Sequence, residues 1–358
     1  MAMNIVVLAG GTSTERAISI SSGTEICSAL REKGHRAILI DVFAGIEPLD
    51  KEDPFPESYD VKAARAYMES FDEKVPELQK LRKSFWGPNV LWLCDQADIV
   101  FLGLHGMNGE DGRVQATFDL MGIPYTGTGF LSSGLAMDKA FTKQLFRLNG
   151  VPTPKGIVLT KDVLHDDAGG ESWTGARAAL EDAGMHFPVV VKTCCGGSSV
   201  GVYIVQDESG YEYALTQAFA LEDQVIVEEY IQGREFTAAV VDGKAYPVVE
   251  IEPLKGFYDY TNKYQAGSTI ETCPAHISEE LTEEIQDIAV RAYLALGLES
   301  YGRMDFMVND RDEVYCLEAN TLPGMTPTSL IPQEAAALGM SFPDLCEELI
   351  RVSFKKYK

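Results

Sequence analysis

Arg303, Asp305, Glu318 and Asn320 are side chains of the types that hold a divalent cation and a phosphoryl group. They lie in GRMDFMVNDRDEVYCLEAN, where a β-rich run to Val308 gives way to Asn309, Asp310, Arg311 and Asp312 and resumes at Val314, a hairpin signal. Antiparallel pairing about that turn sets Asp305 opposite Glu318 and Arg303 opposite Asn320, because residues two apart share a face and opposed Cβ atoms sit roughly 5 Å apart. The other face then gathers Met304, Phe306 and Val308 with Tyr315, Leu317 and Ala319. Opposed carboxylates repel unless a cation or a shared proton relieves them, and hard oxygen donors beside an amide suit Mg²⁺. A solvated acidic face is the plain alternative. The segment TLPGMTPTS that follows favours a site, since Gly324 and its neighbouring hydroxyls let backbone N–H groups approach an anion.

Three further segments carry chemistry. PVVVKTCCGGSSVGVYIV reads as a strand ending in Lys192, a Gly/Ser loop and a second strand, so loop amides, Ser198 and Ser199 can wrap phosphate oxygens while Lys192 supplies charge. It is not a Walker A loop, which places its Lys after the glycines and before a helix, and a Lys at a strand end can equally snorkel. QVIVEEYIQGREF offers Glu228, Glu229 and Glu235 at strand ends, where carboxylates suit ribose hydroxyls and strand-edge backbone can read a purine edge; solvated strand ends are the alternative. GFYDYTNKYQAG, residues 256–267, combines four aromatics with Lys263 in a stretch too broken for a long strand, and reads as a lid over phosphate or as a surface loop anchored by its rings.

The elements that must position these residues begin with alternating strands and helices: MNIVVLA, a Gly-rich turn, a helix over about 18–33, a strand near 35–42 and later ADIVFLGL, the rhythm of a parallel α/β sheet. GGTSTER and HGMNGEDG follow strand ends, where ligands bind in open α/β sheets, although their glycines can serve tight turns alone. Residues 47–92 form a charged stretch with a helix after Asp60, read as an insertion or surface elaboration of unknown role. VPTP at 151–154 breaks the chain after a helix containing Lys139. The expected fold is α/β, with α+β character in the later part.

A chain of 358 residues, 46% hydrophobic, is long enough for two or three domains. Its formal net charge of -24 opposes association with nucleic acid or an anionic membrane, and no apolar run approaches the roughly 20 residues of a membrane span. Seven cysteines without CxxC pairs or paired-His spacing indicate neither a zinc site nor a disulfide framework, and suggest reduced thiols in a cytoplasmic protein.

In this order the segments resemble the D-alanine:D-alanine ligases of the ATP-grasp superfamily, from GGTSTER to NTLPGMTPTS. The resemblance implies an N-terminal open parallel α/β substrate domain (1–137) followed by a two-part ATP-grasp fold, a small central domain (138–232) and a C-terminal domain (233–358) bearing the lid loop 253–275 and the metal-binding hairpin. It implies that ATP phosphorylates the carboxylate of a first D-alanine and that the amine of a second attacks the acyl phosphate, water being excluded. Glu15 would hold the first amino group with His105 beside that substrate, and Ser198 and Tyr264 would form a latch with Glu15. Lys139, Lys192, Ser198 and Ser199 would meet the phosphates. Glu228, Glu229, Tyr230 and Ile231 would frame the adenine, Glu235 the ribose, and Phe257 and Lys263 would close over the nucleotide from the lid. Asp305, Glu318 and Asn320 would bind two Mg²⁺ or Mn²⁺ ions. Arg303 with Gly324 would stabilise the oxyanion, and Ser329 and Leu330 would receive the second carboxylate. The chain departs from many relatives in TCCGGSSVG, where Gly196 replaces a charged residue. A homodimer and possible use of a monovalent cation are further family expectations. Tyr264 favours an amine over a hydroxy acid as acceptor, while D-serine stays open, since an added hydroxyl is weakly discriminated. A silent nucleotide-binding module is the alternative from another class, and it should have lost some of the four hairpin residues, all of which are present.

Overall fold

The computed structural model describes residues 2–164, 173–197, 201–254 and 269–357. Ser198, Ser199, Phe257, Lys263 and Tyr264, and with them the expected latch and lid, lie outside the described residues.

Strands β1 (Asn4–Ala9), β2 (Arg36–Asp41) and β3 (Ile99–Leu102) form a parallel sheet in the order β2-β1-β3. Their near-continuous apolar runs are buried on both faces, as expected of parallel strands. Helix Arg16–Glu32 covers one face through Ile20, Ile26 and Leu30. The charged stretch 47–92 covers the other: Phe55 and Val75 pack with Val6, Leu8 and Ile38, and the expected helix, Val61–Glu69, is capped by Asp60 accepting from Ala63 N at 3.0 Å. This stretch also has a positional role. Arg16, the residue after Glu15, bonds Asp41 at 2.6 Å, Asp72 at 2.8 Å, and the carbonyls of Gly11 and Met68 at 2.8 Å each.

Strands β4 (Gly156–Thr160), β5 (Val189–Thr193), β6 (Val202–Val205) and β7 (Gln224–Glu229) form an antiparallel sheet in the order β4-β7-β5-β6. Val189 and Val191 of β5 and Val225 and Val227 of β7 pack against helices Thr174–Asp182 and Glu208–Phe219. The period of two therefore turns Val190, Lys192, Ile226 and Glu228 to the opposite face.

The third sheet runs β11-β10-β8-β12-β13 with β9 on β8, from β8 (Gly233–Val241), β9 (Lys244–Ala245), β10 (Val249–Pro253), β11 (Thr269–Thr272), β12 (Tyr301–Asn309) and β13 (Val314–Asn320). Phe236, Ala238, Val240, Met304, Phe306 and Val308 pack on helix Glu279–Ala295, whose Ser278 cap accepts from Leu281 N at 3.2 Å.

The β12–β13 pairing places Arg303 opposite Asn320 and Asp305 opposite Glu318, as the hairpin reading requires. One expectation is corrected. The register shifts between Asp305 and Phe306, so that Phe306 pairs with Cys316 and Val308 with Val314, leaving Leu317 as the extra residue of a β-bulge. The core side of β13 is therefore Val314, Cys316 and Ala319. Tyr315 and Leu317 do not join it.

Candidate active site

Two cavities meet beneath the hairpin face. The first, about 440 Å³, is lined by Glu15, His105, Glu110, Arg303, Asn320 and most of the segment from Thr321 to Leu330, among others. The second, about 510 Å³, is lined by Lys192, Glu228 to Ile231, Glu235, Asp305, Met307 and Leu317, among others. Lys139, Gly196, Gly197 and Glu318 line both.

At the junction, Lys139 Nζ lies 3.2 Å from Glu318 Oε2 and donates to Gly196 O at 2.6 Å. Burial opposes its charge, but Glu318 outweighs burial and raises the ammonium above its ordinary value. Asp305 gathers four donors: Arg303 forks onto it through Nε at 2.8 Å and Nη2 at 2.7 Å, Asn320 Nδ2 donates at 2.9 Å, and Thr237 Oγ1 at 2.7 Å. With its amide nitrogen spent on Asp305, Asn320 has its oxygen left as the atom a hard cation would take.

The second cavity has a charged end and an apolar end. Lys192 and Lys143 each lie 2.8 Å from the buried Glu228 carboxylate. Burial raises this carboxyl, yet the two ammonium groups prevail and hold it at about 2. The Glu228 side chain is thus spent on two lysines, and what it offers a ligand is the placement of Lys192. Lys143 escaped the sequence reading, although it follows Lys139 by four residues on helix Lys139–Leu148 and so shares its face. Val190, Val202, Ile204, Ile231, Met307 and Leu317 supply the apolar end. The bulge turns both Leu317 and Glu318 toward the cavities, and Met307 shares the strand face of Asp305.

Glu15 closes the far end of the first cavity. A Cβ at Gly106 would fall 2.6 Å from Glu15 Oε2 and one at Gly197 would fall 3.2 Å away, so the carboxylate sits between two loops, and Gly106, at φ +69°, gives it room. His105 Nδ1 contacts Leu322 O at 2.8 Å, and Nε2 contacts Ser22 Oγ at 3.1 Å. A carbonyl only accepts, so Nδ1 carries the proton and a neutral ring accepts from Ser22. Burial lowers the imidazole's pKa in the same sense. Glu110, also missed from sequence, accepts from Gly106 N at 2.8 Å and Leu322 N at 3.1 Å; burial and then Glu15 push its carboxyl up to about 8.

At the opposite end, Ser329 precedes helix Leu330–Ala337, and its hydroxyl accepts from Thr326 N at 3.1 Å. A Cβ on Gly324 would approach that hydroxyl to 3.0 Å. Leu330 packs on Val249 and Ile251, so its side chain anchors the helix start and leaves its backbone N–H toward the site. Glu235 lines the second cavity. Cys194 is buried and Cys195 exposed, both as free thiols.

Family models for the D-ala D-ala ligase N-terminus and C-terminus match residues 4–128 and 145–351. This chain belongs to the D-alanine–D-alanine ligase family. It is 44% identical to the D-alanine–D-alanine ligase of Pediococcus pentosaceus, covering 99% of both chains, and 41% identical to that of Lacticaseibacillus casei, covering 99% of this chain and 97% of that one. Among solved structures it is similar to the Bacillus anthracis D-alanine–D-alanine ligase (TM-score 0.73, 34% identity, 99% and 98% of the chains covered). The VanG D-Ala:D-Ser ligase of Enterococcus faecalis is also similar (TM-score 0.76, 28% identity, 99% and 100% covered). The fold of the family is thereby that of this chain, including the ATP-grasp arrangement expected from the motifs. Among the described residues no helix is long and apolar enough to cross a membrane.

Proposed function

We propose that the two cavities hold the two halves of one reaction, nucleotide in the second and the two amino acids in the first. As a member of its family the chain is an ATP-dependent, ADP-forming ligase that joins two D-alanines through an acyl phosphate, for peptidoglycan precursor synthesis. The observation that carries the division of labour is the shared junction: among the described residues Lys139, Gly196, Gly197 and Glu318 line both cavities, so a terminal phosphoryl group and a substrate carboxylate can meet there.

In this reading the apolar end of the second cavity takes the base, framed by Glu229, Tyr230 and Ile231, with Glu235 at the ribose. Lys192 and Lys139 meet the phosphates, and Lys139 exchanges Glu318 for a phosphate oxygen. Asp305, Glu318 and the Asn320 oxygen are hard donors on one strand face, a set that fits Mg²⁺ or Mn²⁺. A bound divalent ion would neutralise phosphate charge. Two carboxylates and an amide leave coordination positions that the nucleotide's phosphate oxygens would complete. Glu15 takes the ammonium of the first D-alanine, and Arg303 with Gly324 N faces the oxyanion. Ser329 and the first N–H groups of helix Leu330–Ala337 take the second carboxylate.

The unit boundaries 1–137, 138–232 and 233–358, and a cytoplasmic location, are parts of the same proposal. A homodimer is the assembly expected of the family; Leu120, Met121 and Leu131 are exposed on two helices in mutual contact and offer apolar surface for it. The test is a product assay with ATP, Mg²⁺ and D-alanine, D-serine or D-lactate. Equal amounts of ADP and D-alanyl-D-alanine are expected, and a preference for D-lactate at neutral pH would reject the assignment.

A further inference from the structure

Four carboxyl groups line the first cavity: those of Glu15, Glu110, Glu271 and Glu318. Glu318 lies against Lys139, Glu110 is held by two backbone N–H groups, and Glu15 sits at the Gly106 end, beside His105. Glu271 is at the other end. It stands on β11 opposite Ile251, and Ile251 packs on Leu330, so the pairing aims Glu271 toward the start of helix Leu330–Ala337. Its Oε2 is contacted by Gln333 Nε2, and that amide also donates to Thr328 O at 2.8 Å, tying the carboxylate to the loop that precedes Ser329. Among the described residues its partner is thus a neutral amide. Burial raises its carboxyl, with Gln333 and then Arg303 opposing.

We infer that Glu271 is the counter-charge for the ammonium of the entering acceptor amino acid, and that it thereby selects an amino acid over a hydroxy acid at the second site; the bound ammonium must give one proton to a base, Glu271 being the carboxylate beside it, before the amine lone pair attacks. This rests on the reading that the Ser329 end of the cavity takes the acceptor's carboxylate. An amino acid anchored by its carboxylate at a helix N-terminus presents its ammonium within the same cavity, and a half-buried carboxylate held by a single amide is suited to receive it. D-Lactate has the same shape with a hydroxyl in place of the ammonium, and could offer Glu271 one hydrogen bond without the opposite charge. The residue is a specificity determinant that acts at the second site and leaves the first to Glu15.

The experiment measures the two apparent KM values for D-alanine, and the rate with D-lactate as acceptor, for the full chain and for Glu271→Gln and Glu271→Asp. Glu271→Gln is expected to raise the KM for the second D-alanine by about 10- to 100-fold while moving the first far less, and to narrow the preference for amine over hydroxy acid by a similar factor. Glu271→Asp, which keeps the charge, should retain most of that preference. An unchanged second KM and an unchanged preference would overturn the inference, as would an equal rise in both KM values, which marks a structural role. The wild-type control separates the two levels of failure. If the wild type forms no dipeptide, the ligase reading falls and this inference with it; if it does, a silent Glu271→Gln removes this inference alone.

Discussion

Two buried carboxyls set opposite pH dependences. The Glu228 carboxyl lies at about 2 against an ordinary 4.5, because two lysines outweigh its burial, so its contribution to stability is complete above 4.5 and is lost as pH falls toward 2. Glu228→Gln should cost about 3–5 kcal/mol at neutral pH, since Lys143 would be left buried beside a neutral amide. Chemical denaturation should find that loss at pH 7 and a much smaller difference from wild type near pH 3. The Glu110 carboxyl is shifted the other way, to about 8, by burial and then Glu15, so ionising it costs the folded state, and stability declines as pH rises from 4.5 to 8. Glu110→Gln should flatten that decline, and a slope equal to wild type across this window would count against the assignment. Neither residue's environment could be read from sequence. Lys143 carried a usable signal in its four-residue spacing from Lys139, whereas Glu110 stands in a glycine-rich loop and, besides the Gly106 amide of that loop, is held by the amide of Leu322, far away in the chain.

The hairpin shows how far a single element is legible. Its turn and its period of two were enough to place Arg303 opposite Asn320 and Asp305 opposite Glu318. The bulge was not legible, because one extra residue leaves the local mixture of polar and apolar types unchanged. Its consequence bears on the proposed function: Leu317 leaves the core side and joins Met307 in the apolar end of the second cavity, the proposed nucleotide site. Leu317→Ser should therefore weaken ATP binding by roughly 10-fold with little change in either KM for D-alanine, as read by nucleotide titration, if a buried Leu contributes its usual share. The stretch 47–92 was opaque for a different reason. Its anchors, Phe55, Val75 and the Asp72 bond to Arg16, act on strands and a helix start far away in sequence, and no local pattern announces such contacts.

At the scale of the whole molecule, three sheets line the two adjoining cavities: the parallel sheet brings Glu15 and His105, the four-stranded antiparallel sheet Lys192 and Glu228, and the six-stranded antiparallel sheet the hairpin. The order of motifs along the chain was legible because each sits at a strand end or turn, which the apolar runs bracket. The way Lys139 and Glu318 join two cavities was not, since it depends on how the sheets pack. A formal charge of -24 spread over this assembly repels itself, and added salt screens that repulsion. The thermal midpoint should rise by roughly 2 °C between low salt and about 0.5 M NaCl, and a fall would mean that attractive surface pairs outweigh the net charge.

The most direct test of the central claim is a crystal structure with Mn²⁺ and a non-hydrolysable ATP analogue, with the ion located by its anomalous scattering. The account predicts Mn²⁺ at about 2.1 Å from oxygens of Asp305, Glu318 and Asn320, with Lys139 moved from Glu318 to a phosphate oxygen. A manganese peak away from these three side chains, or a nucleotide outside the cavity lined by Met307 and Leu317, would contradict it.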